Sequence, residues 1–374
     1  MQRLALTRLL YFSDEVLYSL LHSVISKTSL DEAFFWLGEA YYSGYQEELL
    51  RHLWRMYYDF YAVTYPKYEG KLSRLTEQWH KRKDPEDLSP LAYIVNMLFF
   101  SKATPVVFLM RIAAKESPHS IYTHKPPPWL AALGLARRER QLVRSIDEGN
   151  DANVAFYLTQ KGDRTKQYEA VKTYFAKRHN MPFSRGSSLE NIPYDDKGHI
   201  ILALVSHLRE NAGRVRRNRI FRKLEAGAVE KLVKFHSTKV APPRKTLPTK
   251  RLYTISPLVR CFKLLQDAEC AERSISPQEL LWYHWEFFAL RSPLWAKRFA
   301  ACGGTADEEG MGIVFPDDDS EERFYEEYNY EPDEQSKEVQ QRGLVTSGGS
   351  PALLEGWVSS RFDREIRLEQ CPAY

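Results

Sequence analysis

The chain has 374 residues, of which 43% are hydrophobic and 13% aromatic, and these fractions exclude a wholly disordered protein. Its four cysteines are scattered, which excludes a disulfide framework and predicts a reducing, intracellular environment. No apolar run is long enough to span a membrane, and the N-terminal MQRLALTRLLYFSDE carries no signal-peptide pattern.

The first 120 residues carry apolar side chains at helical spacing. The segment DEVLYSLLHSVIS predicts a helix that Ser13 caps. Ser29 and Glu32 have the spacing of a capping box and predict the start of a second helix. We therefore expect the N-terminal part of the chain to be densely packed helices.

A third helix is predicted from an apolar stripe between residues 49 and 61. Its opposite face is predicted to be solvated and carries Glu47, Glu48, Arg51, Arg55 and Asp59. Most aromatic residues between positions 34 and 68 fall on apolar stripes and are predicted to lie in the core. Four tyrosines fall off these stripes and are interpreted as a surface patch for a partner: Tyr42, Tyr58, Tyr65 and Tyr68.

Serine or threonine followed by proline predicts several helix starts, at Ser89-Pro90, Thr104-Pro105, Ser256-Pro257, Ser276-Pro277 and Ser292-Pro293. The segment ILALVSHL from Ile200 fits a strand or a helix equally well. Other strand signals are few, and no fixed repeat period is visible. We therefore predict an all-α protein, an irregular stack of helical hairpins with an acidic, poorly structured C-terminal tail.

Two changes in composition divide the chain. The three prolines of HKPPPWL, which begins at His124, cannot continue a helix, and glycine and acidic residues dominate from about residue 302. These changes predict an aromatic-rich helical domain over residues 1–123 and a second helical region with a basic block over residues 124–301. An acidic tail that ends in a docking helix is predicted over residues 302–374.

Charge is arranged in two opposed blocks. Residues 201–260 contain 15 Lys and Arg against 3 Asp and Glu, whereas residues 301–340 contain 2 against 14. The basic block centres on a predicted helix with six cations: Arg214, Arg216, Arg217, Arg219, Arg222 and Lys223. Such a helix fits nucleic-acid phosphates or an acidic partner, which includes the chain's own tail. The alternative is a basic face that is simply solvated.

Aromatic side chains are interleaved with the carboxylates of the predicted tail. A partner-binding role is predicted for six of them: Phe324, Tyr325, Tyr328, Tyr330, Trp357 and Phe362. The last stretch has the pattern of a short amphipathic helix, and the sequence leaves open whether it docks on a partner or on its own body.

The search for a catalytic or phosphate-binding motif fails, because GxxxxGK[ST], GxSxG, HExxH and CxxC are all absent. Cys261 and Cys270 have no second pair of ligands nearby, so no metal site is predicted. Asp195, Asp196 and His199 in YDDKGH, with His207 further on, are the best candidates for metal binding or acid–base chemistry, but this pattern is also typical of a turn and helix cap. We therefore predict that the protein is not an enzyme and needs no cofactor.

The segment FSDEVLYSLLHSVISKTSLDEAFFWLGEAYYSGY, with KPPPWL and SIDEGNDANVAFYL further on, resembles a family of uncharacterised helical proteins of giant, nucleocytoplasmic large DNA viruses. The resemblance covers roughly residues 10–210 and includes no catalytic motif. It implies a viral origin and a location in the virion or in the viral factory of the host cytoplasm. It carries over no functional residues.

Together these features predict a non-catalytic scaffold or interaction protein associated with the virion or minor capsid. Viral or host proteins are its predicted partners, bound through the helical surface and the tail. The alternative is a nucleic-acid-binding factor in viral transcription, translation or genome packaging, which binds RNA or DNA through residues 214–223.

Overall fold

The structure, a computed structural model, describes residues 5–116, 121–181, 189–210, 226–236, 251–266, 277–328, 336–343 and 350–362. Within these ranges it contains nineteen α-helices and one two-stranded sheet, so the all-α prediction is confirmed. The predicted basic helix (residues 214–223) and Tyr330 lie outside the described residues. No helix of the described part is both long enough and apolar enough to cross a lipid bilayer.

Eleven helices lie between residues 5 and 210 of the described chain: α1 (Ser13–Ser26), α2 (Leu30–Tyr42), α3 (Gln46–Phe60), α4 (Tyr68–His80), α5 (Ser89–Phe99), α6 (Val106–Glu116), α7 (Pro128–Ala131), α8 (Arg137–Asp147), α9 (Asp151–Thr159), α10 (Arg164–His179) and α11 (Lys197–Glu210). The others in the described ranges are α12 (Ala226–His236), α13 (Pro257–Gln266), α14 (Pro277–Tyr283), α15 (Trp285–Ala289), α16 (Pro293–Ala301), α17 (Asp318–Tyr328), α18 (Lys337–Arg342) and α19 (Pro351–Phe362). The strands are β1 (Thr305–Asp307) and β2 (Gly312–Val314), which pair antiparallel.

Local sequence signals set the ends of several helices. The Ser29 side chain accepts a hydrogen bond from the Glu32 backbone N–H at 3.0 Å, which confirms the predicted cap of α2. Gly44 follows α2 with φ of +96°, a conformation that a side chain would strain. Ser292 caps α16 in the same way, and the ambiguous segment from Ile200 lies within the helix α11.

One hydrophobic core runs through the described part of the molecule. Helix α1 packs against α2 and α13, and α3 contacts both α6 and α11. Helix α6 packs closely against α9, so the core continues across the boundary predicted at residue 123. The tyrosine patch predicted on the surface is wrong, because these side chains are at most 7% exposed and pack inward: Tyr42, Tyr58, Tyr65 and Tyr68.

The N-terminal segment before α1 is held by residues from the second half of the chain. Arg251 is buried and donates hydrogen bonds to the Leu9 carbonyl, from Nε at 3.0 Å and from Nη2 at 2.7 Å. Its Nη1 donates to the Val339 carbonyl of α18 at 3.3 Å. The Trp295 indole donates to the Thr7 carbonyl at 3.0 Å. Backbone carbonyls of the N-terminal segment are therefore satisfied by side chains from the second half of the chain.

The described helices of the predicted tail pack on the body. The one buried residue of α17, Phe324, inserts among aromatic rings contributed by α16 and the segment after β2. On α19, the Trp357 indole donates to Ser26 Oγ at 3.0 Å and its ring lies 4.9 Å from that of Phe262. Phe362 stacks on Phe60 of α3 with 6.4 Å between ring centroids.

Candidate functional site

The residues predicted as acid–base candidates do not form one site. Asp195 and Asp196 are exposed, and Asp196 Oδ1 accepts a hydrogen bond from the His199 backbone N–H at 2.9 Å, as an N-terminal cap of α11 does. The His199 ring lies in the interior, with its side chain 1% exposed. His207 is two turns further along α11, and its Nδ1 donates to the Val63 carbonyl. The YDDKGH pattern is therefore a turn and a helix cap.

The His199 ring instead joins a buried ionic cluster that connects three helices. Asp59 of α3 accepts two hydrogen bonds from Nη1 of Arg111 on α6, at 2.9 Å to Oδ1 and 2.7 Å to Oδ2. His199 Nε2 of α11 lies 3.0 Å from Asp59 Oδ1, at an angle that is poor for a hydrogen bond. Tyr194 forms a hydrogen bond with His199 Nδ1 at 3.0 Å. Asp59 was predicted to be solvated, and this prediction is wrong because its carboxylate is the counter-ion of Arg111.

Protonation in the cluster follows from burial and charge. Burial disfavours the ionised form of Asp59, yet the Arg111 guanidinium keeps the pKa of this carboxyl well below its usual range. Burial lowers the pKa of His199, so its imidazole is neutral at pH 7. Burial also raises the pKa of Tyr194, so its hydroxyl keeps its proton at pH 7, and His199 Nε2 faces the ionised Asp59 carboxylate, which has no proton to donate. This assigns the tautomer of His199 with the proton on Nε2, facing the carboxylate.

The side chains of the ionic cluster are largely shielded from solvent. The side chain of Asp59 is 1% exposed and that of Arg111 is 14% exposed. The Tyr58 ring lies 5.2 Å from that of Tyr194, and the Trp54 ring lies 5.9 Å from that of Tyr58 and 6.3 Å from that of Tyr194. The cluster is therefore buried and holds α3, α6 and α11 together.

Helix α17 and the residue before it form an acidic surface. Between residues 317 and 327 the chain carries seven carboxylates and one arginine, and all eight side chains are exposed. Phe324 packs inward, with its ring stacked 4.4 Å from that of Phe299. Tyr325 donates to Glu286 at 3.1 Å, and the Arg298 guanidinium lies 4.6 Å from the Tyr328 ring. The aromatic side of α17 thus faces the body, and the carboxylates face solvent.

The sequence-predicted binding residues are therefore distributed as follows. Phe324, Tyr325 and Tyr328 attach α17 to the body, whereas Trp357 and Phe362 attach α19 to α13, α1 and α3. Tyr330 and the six cations of residues 214–223 lie outside the described residues. Among the residues that are described, no three His, Cys, Asp or Glu side chains are grouped to hold a metal ion.

Helical spacing did not indicate the cluster around Asp59, although the sequence carries a signal for it. Arg111 is the single cation in the apolar run VVFLMRIAA of α6, and a charge in such a run is buried only with a partner. Comparisons with known proteins add nothing to these observations, since no family model, no curated protein and no solved structure matches the chain.

Proposed function

We propose that this chain is a non-catalytic scaffold protein of a large DNA virus, in which the carboxylate face of α17 binds a basic protein partner in the virion or the viral factory. The proposal rests on the orientation of α17. Phe324 packs into the core and fixes the helix, and seven carboxylates are exposed to solvent. The viral setting rests on the resemblance of residues 10–210.

The charge of this surface determines the kind of partner. Isolated exposed ion pairs contribute little affinity, about 0–1 kcal/mol each. A surface whose charges have the same sign, however, raises the association rate with an oppositely charged partner by a factor of about 10–1,000 at low salt. We therefore expect a partner with a basic surface, and an association that weakens as ionic strength increases.

Charge reversal on α17 tests the proposal more cleanly than deletion of the tail. Deletion from residue 305 would remove Phe324 and Trp357 from the core, and a lost interaction would then be ambiguous. The double variant Glu321→Lys/Glu322→Lys changes only exposed side chains. The matched control, Glu77→Lys/Glu169→Lys, makes the same change of charge at exposed positions on α4 and α10.

The tagged proteins are purified from infected cells, with and without nuclease, and their partners are identified by mass spectrometry. We expect a basic protein that survives nuclease, is retained by the control and is lost from Glu321→Lys/Glu322→Lys. Retention by the α17 variant would refute the proposal. Partners that disappear with nuclease would instead favour the nucleic-acid alternative, which rests on the charge of residues 214–223.

A further inference from the structure

A second cluster of polar groups lies where α1, α3, α5 and α19 meet. Lys27 follows the end of α1 with a left-handed backbone, φ 58°. Its Nζ donates to the Leu98 carbonyl of α5 at 3.0 Å and lies 5.2 Å from the ring centroid of Phe99 and 5.8 Å from that of Tyr61. Arg361 of α19 reaches the same place, because its Nε donates to the Ile25 carbonyl at 2.9 Å.

The two cations have no acidic counter-ion in the described part of the chain. The one charged group there that acts on Lys27 is Arg361, which repels it. Burial, reinforced by this repulsion, lowers the pKa of Lys27 to about 7. The Tyr61 hydroxyl is buried and makes no hydrogen bond to any described residue. Burial raises the pKa of Tyr61 and the Arg361 charge opposes that rise, which places the guanidinium near the phenol.

We infer that Lys27 is a nucleophilic amine that condenses with small aldehydes carrying an anionic group. A lysine that lies between aromatic rings and beside a second cation is the arrangement that activates an amine for this chemistry. The Lys27 side chain is half-buried and Arg361 is exposed, so the cluster borders solvent. This inference is independent of the partner-binding role of α17.

The reaction balances without another reagent. The lone pair of Lys27 Nζ adds to the aldehyde carbon, and the resulting carbinolamine loses its oxygen as water. Nitrogen gives up both of its protons to that water, so a C=N bond replaces the C=O bond. Arg361 supplies the anion site, because only Nε of its guanidinium is hydrogen-bonded within the described residues.

Lys71 is an internal control for the reactivity of Lys27. Its Nζ also lies over an aromatic ring, 4.6 Å from the centroid of Tyr93. At pH 7 about half of Lys27 is the neutral amine, against roughly one in three thousand for a lysine of pKa 10.5. Since a weaker base is also a weaker nucleophile, we expect an advantage of about tenfold to hundredfold rather than the full ratio.

The full-length protein is treated with pyridoxal 5′-phosphate or with pyridoxal, which lacks the phosphate, and the imine is reduced with borohydride. Peptide mass spectrometry then gives the labelling rate of each lysine between pH 6 and pH 10. We expect Lys27 to react with the phosphorylated aldehyde at least about tenfold faster than Lys71 at pH 7. Its rate should level off above pH 7, and the ratio of its rate to that of Lys71 should be smaller with pyridoxal than with pyridoxal 5′-phosphate.

The variant Arg361→Gln should slow labelling of Lys27 by about tenfold, because it removes both the anion site and the neighbouring charge. The variant Arg74→Gln is its control, since Arg74 is also exposed and donates from Nε to a backbone carbonyl, that of Gly70. Equal rates at Lys27 and Lys71, a rate at Lys27 that rises up to pH 10, or no effect of Arg361→Gln would overturn the inference.

Discussion

Replacing Asp59 with asparagine tests whether the buried ionic cluster stabilises the fold. Asparagine keeps the shape of the side chain but removes the charge that balances Arg111. Removing one partner of a buried ion pair costs about 3–5 kcal/mol, because the other charge stays uncompensated. Arg111 is 14% exposed and keeps some contact with water, so we expect a loss near the lower limit, about 3 kcal/mol.

The double variant Asp59→Leu/Arg111→Met removes both charges of the ion pair. It therefore distinguishes the cost of leaving Arg111 without a counter-ion from the loss of the attraction between the two groups. Replacing a whole buried ion pair by apolar side chains of similar volume is often close to neutral. Here the double variant also leaves His199 without its carboxylate neighbour. We therefore expect it to be less stable than the wild type but more stable than Asp59→Asn.

Urea unfolding followed by tryptophan fluorescence gives the measurement, since Trp54 lies close to the cluster. With a slope of about 3 kcal/mol per molar urea, a loss of 3 kcal/mol lowers the midpoint by about 1 M. The control is Asp163→Asn, which removes an exposed charge from the cap of α10 and should leave the urea midpoint close to that of the wild type, because asparagine caps a helix as well as aspartate does. A loss below 1 kcal/mol at Asp59, or a double variant less stable than Asp59→Asn, would refute the reasoning.

Two further predictions concern other buried side chains. Burial lowers the pKa of His52 from 6.5 to about 3, so the unfolded chain takes up its proton first as the pH falls. Stability should therefore decrease by about 2 kcal/mol between pH 7 and pH 5, and His52→Phe should abolish this part of the change in urea midpoints. An identical pH dependence in both proteins would contradict the assignment. The variant Arg251→Met should cost about 3 kcal/mol, because it leaves the Leu9 carbonyl unsatisfied. Limited proteolysis should then cut the N-terminal segment faster, and wild-type cleavage rates would show that Arg251 does not hold it.

Local signals in the sequence were sufficient for the caps of α2 and α16, but not for that of α1, where Ser13 is the first helical residue and Phe12 holds the cap position, nor for the cluster around Asp59. The capping box at Ser29 and the proline after Ser292 act within one turn of helix, and the structure confirms both. The position of Asp59 depends on Arg111 and His199, which are far away along the chain and reach it only after the helices have packed. Helical periodicity contains no information about such a partner.

The wrong interpretation of the tyrosines has a related physical cause. A single apolar stripe describes a helix that contacts the core on one side, whereas α3 contacts α6, α11, α2, α5 and α1. Tyr58 lies off the main stripe but packs against Tyr194, and its hydroxyl donates to Glu69 at 2.9 Å. A tyrosine suits such a position because its ring can be buried while its hydroxyl keeps a polar partner.

The attachment of the N-terminal segment by Arg251 has a consequence for synthesis of the protein. A ribosome adds about 5–20 residues per second, so Arg251 is made roughly 10–50 seconds after the segment whose carbonyls it will bind. Contacts between such distant positions form slowly, because a long loop must close first. During that interval the carbonyls of Leu9 and Leu10 lack their final donors. The segment is then open to a chaperone or an assembly partner, and it closes only when most of the chain has been translated.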